Sequence, residues 1–160
     1  MEINTLKAET KNLKPGFDLA INRWMVIGPF EYDKTSGLEK FYPAEMVMNA
    51  HEQYEGISGY VSWQDITTQP GKISEIDISE YLDDFERGVV ILRTFFYSRR
   101  NAEVIYSAFT ACDCAGFINK EKVIEKHSKT AGPAAISVNL RHGWNQLTWK
   151  LSKTDESGEI

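Results

Sequence analysis

Apolar and polar positions alternate along several stretches of the chain, most clearly near its end. Leu147, Trp149 and Leu151 occupy one set of alternate positions, and Thr148 and Lys150 occupy the other. A period of two is typical of an antiparallel β-strand with one buried face. The same alternation, or a content rich in β-branched and aromatic residues, predicts further strands at 24–27, 60–67, 89–98, 102–110 and 136–140.

Turn signals separate these stretches. Gly28-Pro29, Pro70-Gly71 and Gly132-Pro133 are such signals, and residues 119–122 predict the turn of a tight hairpin. Residues 44–54 predict one or two helical turns, and residues 1–20 are consistent with a polar arm or a short helix. About seven or eight short strands with little helix indicate an all-β sandwich or barrel.

Length and charge narrow the class of protein. A chain of 160 residues, 42% of them hydrophobic, is long enough for one domain with its own core. No apolar run approaches the ~18–20 residues of a membrane span. The polar stretch 1–12 lacks the apolar segment of a signal peptide, which is consistent with a cytosolic protein or with a piece of a longer exported one. The net charge of −5 argues against a nucleic-acid partner, because proteins that bind duplexes normally carry a basic surface.

The sequence contains no recognised catalytic constellation. It has no phosphate-binding glycine loop and no paired-histidine zinc motif. Cys112 and Cys114 flank an aspartate, which would raise a thiol pKa, so we interpret them as packed thiols without a catalytic role. We therefore predict that the chain is not an enzyme. The alternative is a small enzyme in which Cys112 or Cys114 lies near His127 or His142.

Clustered carboxylates at Asp83, Asp84 and Glu86 are the feature closest to a metal site. Calcium binds clustered oxygen ligands, but the D-x-D-x-D-G loop that commonly holds it is absent from the sequence. We interpret the cluster as a solvated loop and predict no cofactor, although the sequence allows a structural calcium ion.

Aromatic residues make up 12% of the chain. Sugars stack their C–H faces on aromatic rings and form hydrogen bonds through their hydroxyl groups, so a sugar site combines aromatic and polar side chains. Candidates for such a site lie in or beside predicted loops, and we select Tyr60, Tyr97, Arg99 and Arg100 as the ligand-binding residues. The tryptophans, in contrast, are predicted to lie in the core, at Trp24, Trp63, Trp144 and Trp149.

Two stretches carry a family resemblance. Residues 24–30 read W-M-V-I-G-P-F, and residues 140–151 read L-R-H-G-W-N-Q-L-T-W-K-L. Gly59, Val61 and Trp63 lie between them, followed by a hairpin that includes Asp113 and Asn119. Across about residues 22–152, these motifs resemble the galactose-binding-like jelly-roll domains, similar to carbohydrate-binding modules, that are accessory domains of bacterial glycoside hydrolases and other surface enzymes.

This resemblance implies a jelly-roll β-sandwich of two antiparallel sheets over 22–152, with an N-terminal arm or short helix at 1–21 and a polar tail or linker at 153–160. It also implies a non-catalytic, carbohydrate-binding-like module within a larger bacterial protein. Its partner would be a glycan or a neighbouring domain of that protein, and its location extracellular or at the cell surface. The alternative is a purely structural or protein-interaction β-sandwich domain without a sugar ligand.

Several residues within the motifs suit particular structural roles. Gly143 suits a turn with positive φ, Asn145 can bond the local backbone, and Trp144 can fold over the open end of the sandwich. In the family's hairpin, glycine commonly follows asparagine, but here Lys120 follows Asn119. Because a two-residue type I′ turn favours glycine at that position, the departure predicts a longer or different turn over 119–122.

Overall fold

The computed structural model describes residues 5–7, 23–67, 75–78, 81–82, 85–108, 110, 112–127 and 134–153. Its strands are β1 (Thr5–Lys7), β2 (Arg23–Phe30), β3 (Tyr54–Gly56), β4 (Gly59–Val61), β5 (Gln64–Thr67), β6 (Glu75–Asp77), β7 (Gly88–Ser98), β8 (Ala102–Ala108), β9 (Asp113–Ile118), β10 (Glu121–Lys126), β11 (Ala134–Leu140) and β12 (Gly143–Lys153). Short 3-10 helices span Gly37–Glu39 and Pro43–Glu45. The described chain consists mostly of strands that pair antiparallel, which confirms the predicted all-β class. Within these ranges, no helix has the length and apolar character to cross a membrane.

The largest sheet has six strands in the order β10–β9–β12–β7–β2–β5. Each neighbouring pair in it is antiparallel. The two central strands, β7 and β12, pair along their whole length, from Gly88 opposite Lys153 to Ser98 opposite Gly143. Because side chains alternate between the two faces of a strand, this unbroken register determines which residues of both strands share a face.

One face of the six-stranded sheet, here called the inner face, carries the main hydrophobic core. Trp24, Val26, Leu92, Leu147 and Trp149 are buried there. They belong to one cluster with apolar side chains from outside this sheet, which include Ile76, Ile78, Leu82, Phe85, Val138 and Leu140. Burial of a large apolar side chain stabilises the fold by about 1.5–3 kcal/mol relative to its exposure, so this cluster joins the sheet to the segments packed on it.

The described residues also form three two-stranded sheets, β1–β6, β3–β4 and β8–β11. Strand β1 pairs with β6, so Thr5–Lys7 of the predicted arm form a strand where a short helix was one alternative. Strand β11 runs within 8 Å of β10, measured between Cα atoms. The rest of the predicted arm and most of the predicted tail lie outside the described residues, as do Pro70-Gly71, Asp83-Asp84 and Gly132-Pro133.

The opposite, outer face of the six-stranded sheet is partly covered by residues 31–63, here called the covering segment. Leu38, Tyr42, Ala44 and Trp63 of this segment are buried in one cluster with Ile91 of β7. The indole Nε1 of Trp63 donates a hydrogen bond to the carbonyl oxygen of Ala44, at 3.1 Å. This contact explains why the predicted strand at 60–67 is in fact divided into β4 and β5, because Trp63 lies between them and packs on the covering segment.

The hairpin between β9 and β10 turns in two residues, so the prediction of a longer turn over 119–122 is wrong. Ile118 pairs directly with Glu121, and the two residues between them both have positive φ, 51° at Asn119 and 72° at Lys120. Positive φ at both central positions is the mark of a type I′ turn. Lysine therefore occupies a backbone conformation that glycine would adopt without a steric penalty.

We expect Lys120→Gly to stabilise the protein. The left-handed conformation costs a residue with a Cβ about 1–2 kcal/mol, and glycine loses part of that gain through its larger entropy in the unfolded chain. The net gain of ~0.5–1 kcal/mol should raise Tm by about 2 °C in a thermal unfolding experiment. Lys120→Ala is the matched control, because alanine keeps the Cβ. Equal Tm values for the two variants would contradict this explanation.

Candidate functional site

Beyond the covering segment, the outer face of the six-stranded sheet carries a group of exposed aromatic side chains. Phe95 and Tyr97 lie on β7 and Trp144 lies on β12, with exposed fractions of 50%, 48% and 70%. These three residues are here called the aromatic row. Trp144 is the register partner of Tyr97, and Gln146 is that of Phe95. The row therefore occupies neighbouring positions on one face of the two central strands.

An edge-to-face contact sets the geometry of two rings of this row. The ring centroids of Tyr97 and Trp144 are 5.7 Å apart and the ring planes meet at 82°. Tyr97 also contacts the His142 ring, with ring centroids 6.0 Å apart and an angle of 73° between the ring planes. Such arrangements are favourable because the positive edge of one ring meets the negative face of the other. Since adjacent rings are nearly perpendicular, they form a corner and do not form one flat platform.

The turn before Trp144 is held in place from the inner side of the sheet. Gly143 has a φ of 103°, which confirms the predicted positive φ at this position. The fully buried Asn145 accepts hydrogen bonds at Oδ1 from the Arg141 amide and from Nδ2 of Asn119, both at 3.0 Å. Its own Nδ2 donates to the carbonyl oxygens of Arg141 and Gly143, at 2.8 and 3.1 Å. The prediction that Asn145 bonds the local backbone is confirmed, and these bonds fix the backbone that carries Trp144.

The structure brings together three of the four selected ligand-binding residues. Tyr97 is in the aromatic row, and Arg99 and Arg100 follow it as exposed residues of the turn after β7. The Ser98 hydroxyl donates to the carbonyl oxygen of Arg100, at 2.6 Å, and so shapes this turn.

Tyr60 lies apart from this group. It is exposed on β4, and the β3–β4 hairpin is attached near the end of β2, where the Ile57 amide donates to the carbonyl oxygen of Pro29 at 3.0 Å. The neighbouring Phe30 pairs with Val89, which lies near the start of β7, at the end of that strand away from the aromatic row. A strand rises about 3.3 Å per residue, so most of the length of β7 separates this hairpin from Tyr97.

Sequence reasoning missed two members of the aromatic row. Trp144 was predicted to lie in the core, but it is 70% exposed. The sequence contained part of the signal, because Leu147 and Trp149 point inward and Trp144 has the opposite parity, the same as Gln146 and Thr148. Phe95 shares the parity of Tyr97 for the same reason.

The covered half of the outer face contains a buried cluster of opposite charges. The Glu45 carboxylate lies 2.8 Å from Nζ of Lys150 and 3.7 Å from a guanidinium nitrogen of Arg93. All three side chains are at most 7% exposed. Arg93 also donates to the Glu45 carbonyl oxygen and to the Thr148 hydroxyl, both at 3.1 Å, and Lys150 donates to the carbonyl oxygen of Lys40 at 2.6 Å. The cluster thus attaches the covering segment to β7 and β12.

Burial dominates the electrostatics of this cluster. It lowers the pKa of Lys150, although the nearby Glu45 carboxylate acts in the opposite direction. It also lowers the pKa of Arg93, again opposed by Glu45, and it raises the pKa of the adjacent Tyr42. Because a ligand cannot reach these side chains, we interpret the cluster as structural.

Two open clefts lie elsewhere on the described surface. The first, of about 800 Å³, lies between β8–β11 and the β9–β10 hairpin, and its lining includes Asn119, Asn139 and Arg141. The second, of about 590 Å³, lies beside the covering segment and includes Asp113 and His127, whose side chains are 3.8 Å apart. Among the residues that the structure describes, no group of three or more histidine, cysteine, aspartate or glutamate side chains is arranged to hold a metal ion.

Both cysteines are buried thiols. Burial raises the pKa of Cys112, and it raises the pKa of Cys114 to about 11. Cys114 belongs to the core of the inner face, whereas the Asp113 side chain that meets His127 belongs to the opposite face of β9. The strand therefore directs the Cys114 thiol away from the His127 imidazole.

We expect both thiols to react slowly with a disulfide reagent such as DTNB at pH 8 in the folded protein. A pKa of about 11 in place of the ordinary 9.0 lowers the thiolate fraction of Cys114 about a hundredfold, and burial restricts access further. The control is the same protein in guanidinium chloride, where two thiols per chain should react at once. A thiol that reacted as fast in the folded protein would favour the small-enzyme alternative.

The aromatic row is thus the exposed cluster whose geometry suits a ligand, whereas the ion cluster and the thiols are buried. A comparison with models of known protein families found no match, and neither did comparisons with curated protein sequences and with solved structures. A function for this chain is therefore inferred from its own side chains, and foremost from the aromatic row.

Proposed function

We propose that this chain is a non-catalytic carbohydrate-binding module and that its ligand binds at the aromatic row. The observation that carries the proposal is the corner formed by Tyr97 and Trp144, two exposed rings at 82° on one face of a rigid sheet. A sugar unit that stacks its C–H face on one ring contacts the other ring at its side. The corner therefore offers two apolar surfaces to one sugar unit.

Polar groups around the corner supply the hydrogen bonds that a sugar needs. Gln146 lies beside Phe95, His142 packs on Tyr97, and Arg99 follows two residues after Tyr97. Aromatic surface combined with a few polar groups is the usual composition of a small-molecule site. Because the rings do not share a plane, we expect the site to take a single polysaccharide chain and not the flat face of a crystalline polymer.

The finer fold that supports this function is a jelly-roll β-sandwich of the galactose-binding-like kind. Its support is the inner core, in which residues of β6 and β11 pack on the six-stranded sheet, together with the close approach of β11 to β10. On this proposal the chain is an accessory domain of a larger bacterial protein, located outside the cell or at its surface. The sequence motifs at 24–30 and 140–151 are the support for that context.

A second candidate is a protein-interaction domain without a sugar ligand. It is favoured by three further exposed apolar side chains on the covering segment, at Phe41, Met46 and Val47. Exposed apolar surface commonly marks a protein interface when it is contiguous. Glu45 binds Arg93 through its carbonyl oxygen, which places the adjacent Met46 close to the strand that carries the aromatic row.

A glycan panel separates the two candidates. The purified chain would be run in native gels that contain soluble polysaccharides, with and without calcium. Saturable retardation by at least one polysaccharide, and no adsorption to microcrystalline cellulose, is the expected result. A folded protein that no member of a broad panel retards would contradict the carbohydrate proposal and favour the protein-interaction domain.

A further inference from the structure

Three arginines and a histidine lie at one end of the aromatic row. Arg99 and Arg100 follow β7, and Arg141 and His142 precede β12, all of them exposed. The two turns are joined, because the His142 amide donates to Oδ1 of Asn101 at 2.7 Å. These four residues are here called the basic patch. It contains three of the six arginines of the chain, although the net charge of the chain is −5.

The other arginines have different surroundings. Arg23 is paired with Asp65 at 3.0 Å, and Arg93 is buried beside Glu45. Arg87 is exposed just before β7, at the opposite end of that strand. Within the described residues, neither Arg99 nor Arg141 forms an ion pair with a carboxylate.

The nearest acidic side chain along the chain is already engaged. Glu103 accepts a hydrogen bond from the Ser137 hydroxyl at 2.5 Å, on the β8–β11 sheet. Arg141 lines the first cleft together with Glu103 and Glu121, but since neither Arg99 nor Arg141 forms an ion pair among the described residues, their guanidinium groups are available to an external anion. Guanidinium forms planar, paired hydrogen bonds with carboxylate and sulfate oxygens, and it is the side chain most suited to recognise them.

We propose that the ligand of the aromatic row is an anionic glycan, a polysaccharide whose units carry carboxylate or sulfate groups. This inference rests on the proposed carbohydrate-binding function. The sugar ring stacks at the corner of Tyr97 and Trp144, and its acidic group reaches the basic patch next to Tyr97. The rings supply the apolar contact, and the arginines supply the selection for charge.

The test compares polymers that differ only in charge. Polygalacturonate is paired with its fully methyl-esterified form, alginate with its carboxyl-reduced form, and dextran sulfate with dextran. We expect at least tenfold tighter binding of the acidic member of a pair in isothermal titration calorimetry, and weaker binding as the salt concentration rises. Preference within the first two pairs identifies carboxylate as the recognised group, and preference in the third pair alone identifies sulfate. Either result supports the proposal.

Variants assign the preference to the basic patch. The double variant Arg99→Gln/Arg141→Gln should bind acidic and neutral members equally, whereas the control Arg87→Gln should keep the tenfold preference.

Equal binding of both members by the unmodified protein would overturn the anionic ligand and leave the carbohydrate function intact. Binding to no polymer of any pair would overturn the anionic ligand, and the broad glycan panel described above would then decide the carbohydrate function. A preference that survives in the double variant, or acid binding that survives in Trp144→Ala, would overturn the assignment to this site.

Discussion

Trp144→Ala should weaken glycan binding about 30- to 100-fold while it leaves the stability of the fold nearly unchanged. The expected loss corresponds to about 2–2.7 kcal/mol, the amount that a central aromatic contact typically contributes to binding. Stability should be retained because the Trp144 side chain is 70% exposed and belongs to neither core cluster. Titration calorimetry with the best polysaccharide of the panel measures the first effect, and urea unfolding measures the second.

Two further variants make this result specific. Tyr60→Ala removes another highly exposed aromatic ring, but from the hairpin away from the row, so it should leave the affinity unchanged. Trp144→Phe keeps an aromatic face of smaller area and should lose less affinity than Trp144→Ala. If Tyr60→Ala weakened binding and Trp144→Ala did not, the site would lie on the β3–β4 hairpin, which carries Tyr60, one of the four residues selected from the sequence.

Glu45→Gln should produce the largest loss of stability of any change considered, about 3–5 kcal/mol in the free energy of unfolding. Glutamine keeps the shape of the side chain, but it leaves Lys150 and Arg93 buried without their counter-charge. Removal of one partner from a buried ion pair is costly because the remaining charge stays desolvated. Urea unfolding at pH 7, followed by tryptophan fluorescence, measures the loss.

The matched control for this variant is Asp65→Asn. It removes the carboxylate of the exposed pair with Arg23, in which both side chains are more than half exposed to water, at 73% and 52%. Exposed pairs contribute at most about 1 kcal/mol, so this variant should differ little from the unmodified protein. Similar losses for Glu45→Gln and Asp65→Asn would show that the buried cluster contributes no more than a surface ion pair.

The sequence predicted the central strands well because their side chains carry a local signal. Residues 89–98 are rich in β-branched and aromatic residues, and 147–151 alternate between apolar and polar side chains, so β7 and β12 were recognisable without any neighbour. The β9–β10 turn was predicted incorrectly, since the hairpin imposes positive φ on Lys120 despite its Cβ. There, pairing between the strands outweighs the preference of a single residue.

The ion cluster and the aromatic row could not be predicted in the same way. Glu45 lies in an irregular segment, and its partners Arg93 and Lys150 are distant in sequence, so no periodicity relates the three. The aromatic row depends on where the covering segment ends, because Ile91 and Tyr97 have the same parity on β7 but only Ile91 is covered. Strand parity assigns a residue to a face, and tertiary packing then decides whether that face is buried.

The position of β12 has a consequence for how the chain folds during its synthesis. β12 is the last described strand along the chain, but it lies in the middle of the sheet, between β9 and β7. Until Gly143–Lys153 has emerged from the ribosome, β7 and β9 lack the strand that joins them. Their apolar inner faces therefore cannot yet be buried in a completed core. Such long-range pairing slows folding and leaves hydrophobic surface exposed to aggregation. A nascent chain arrested before Gly143 should therefore remain protease-sensitive and become protected only after β12 emerges.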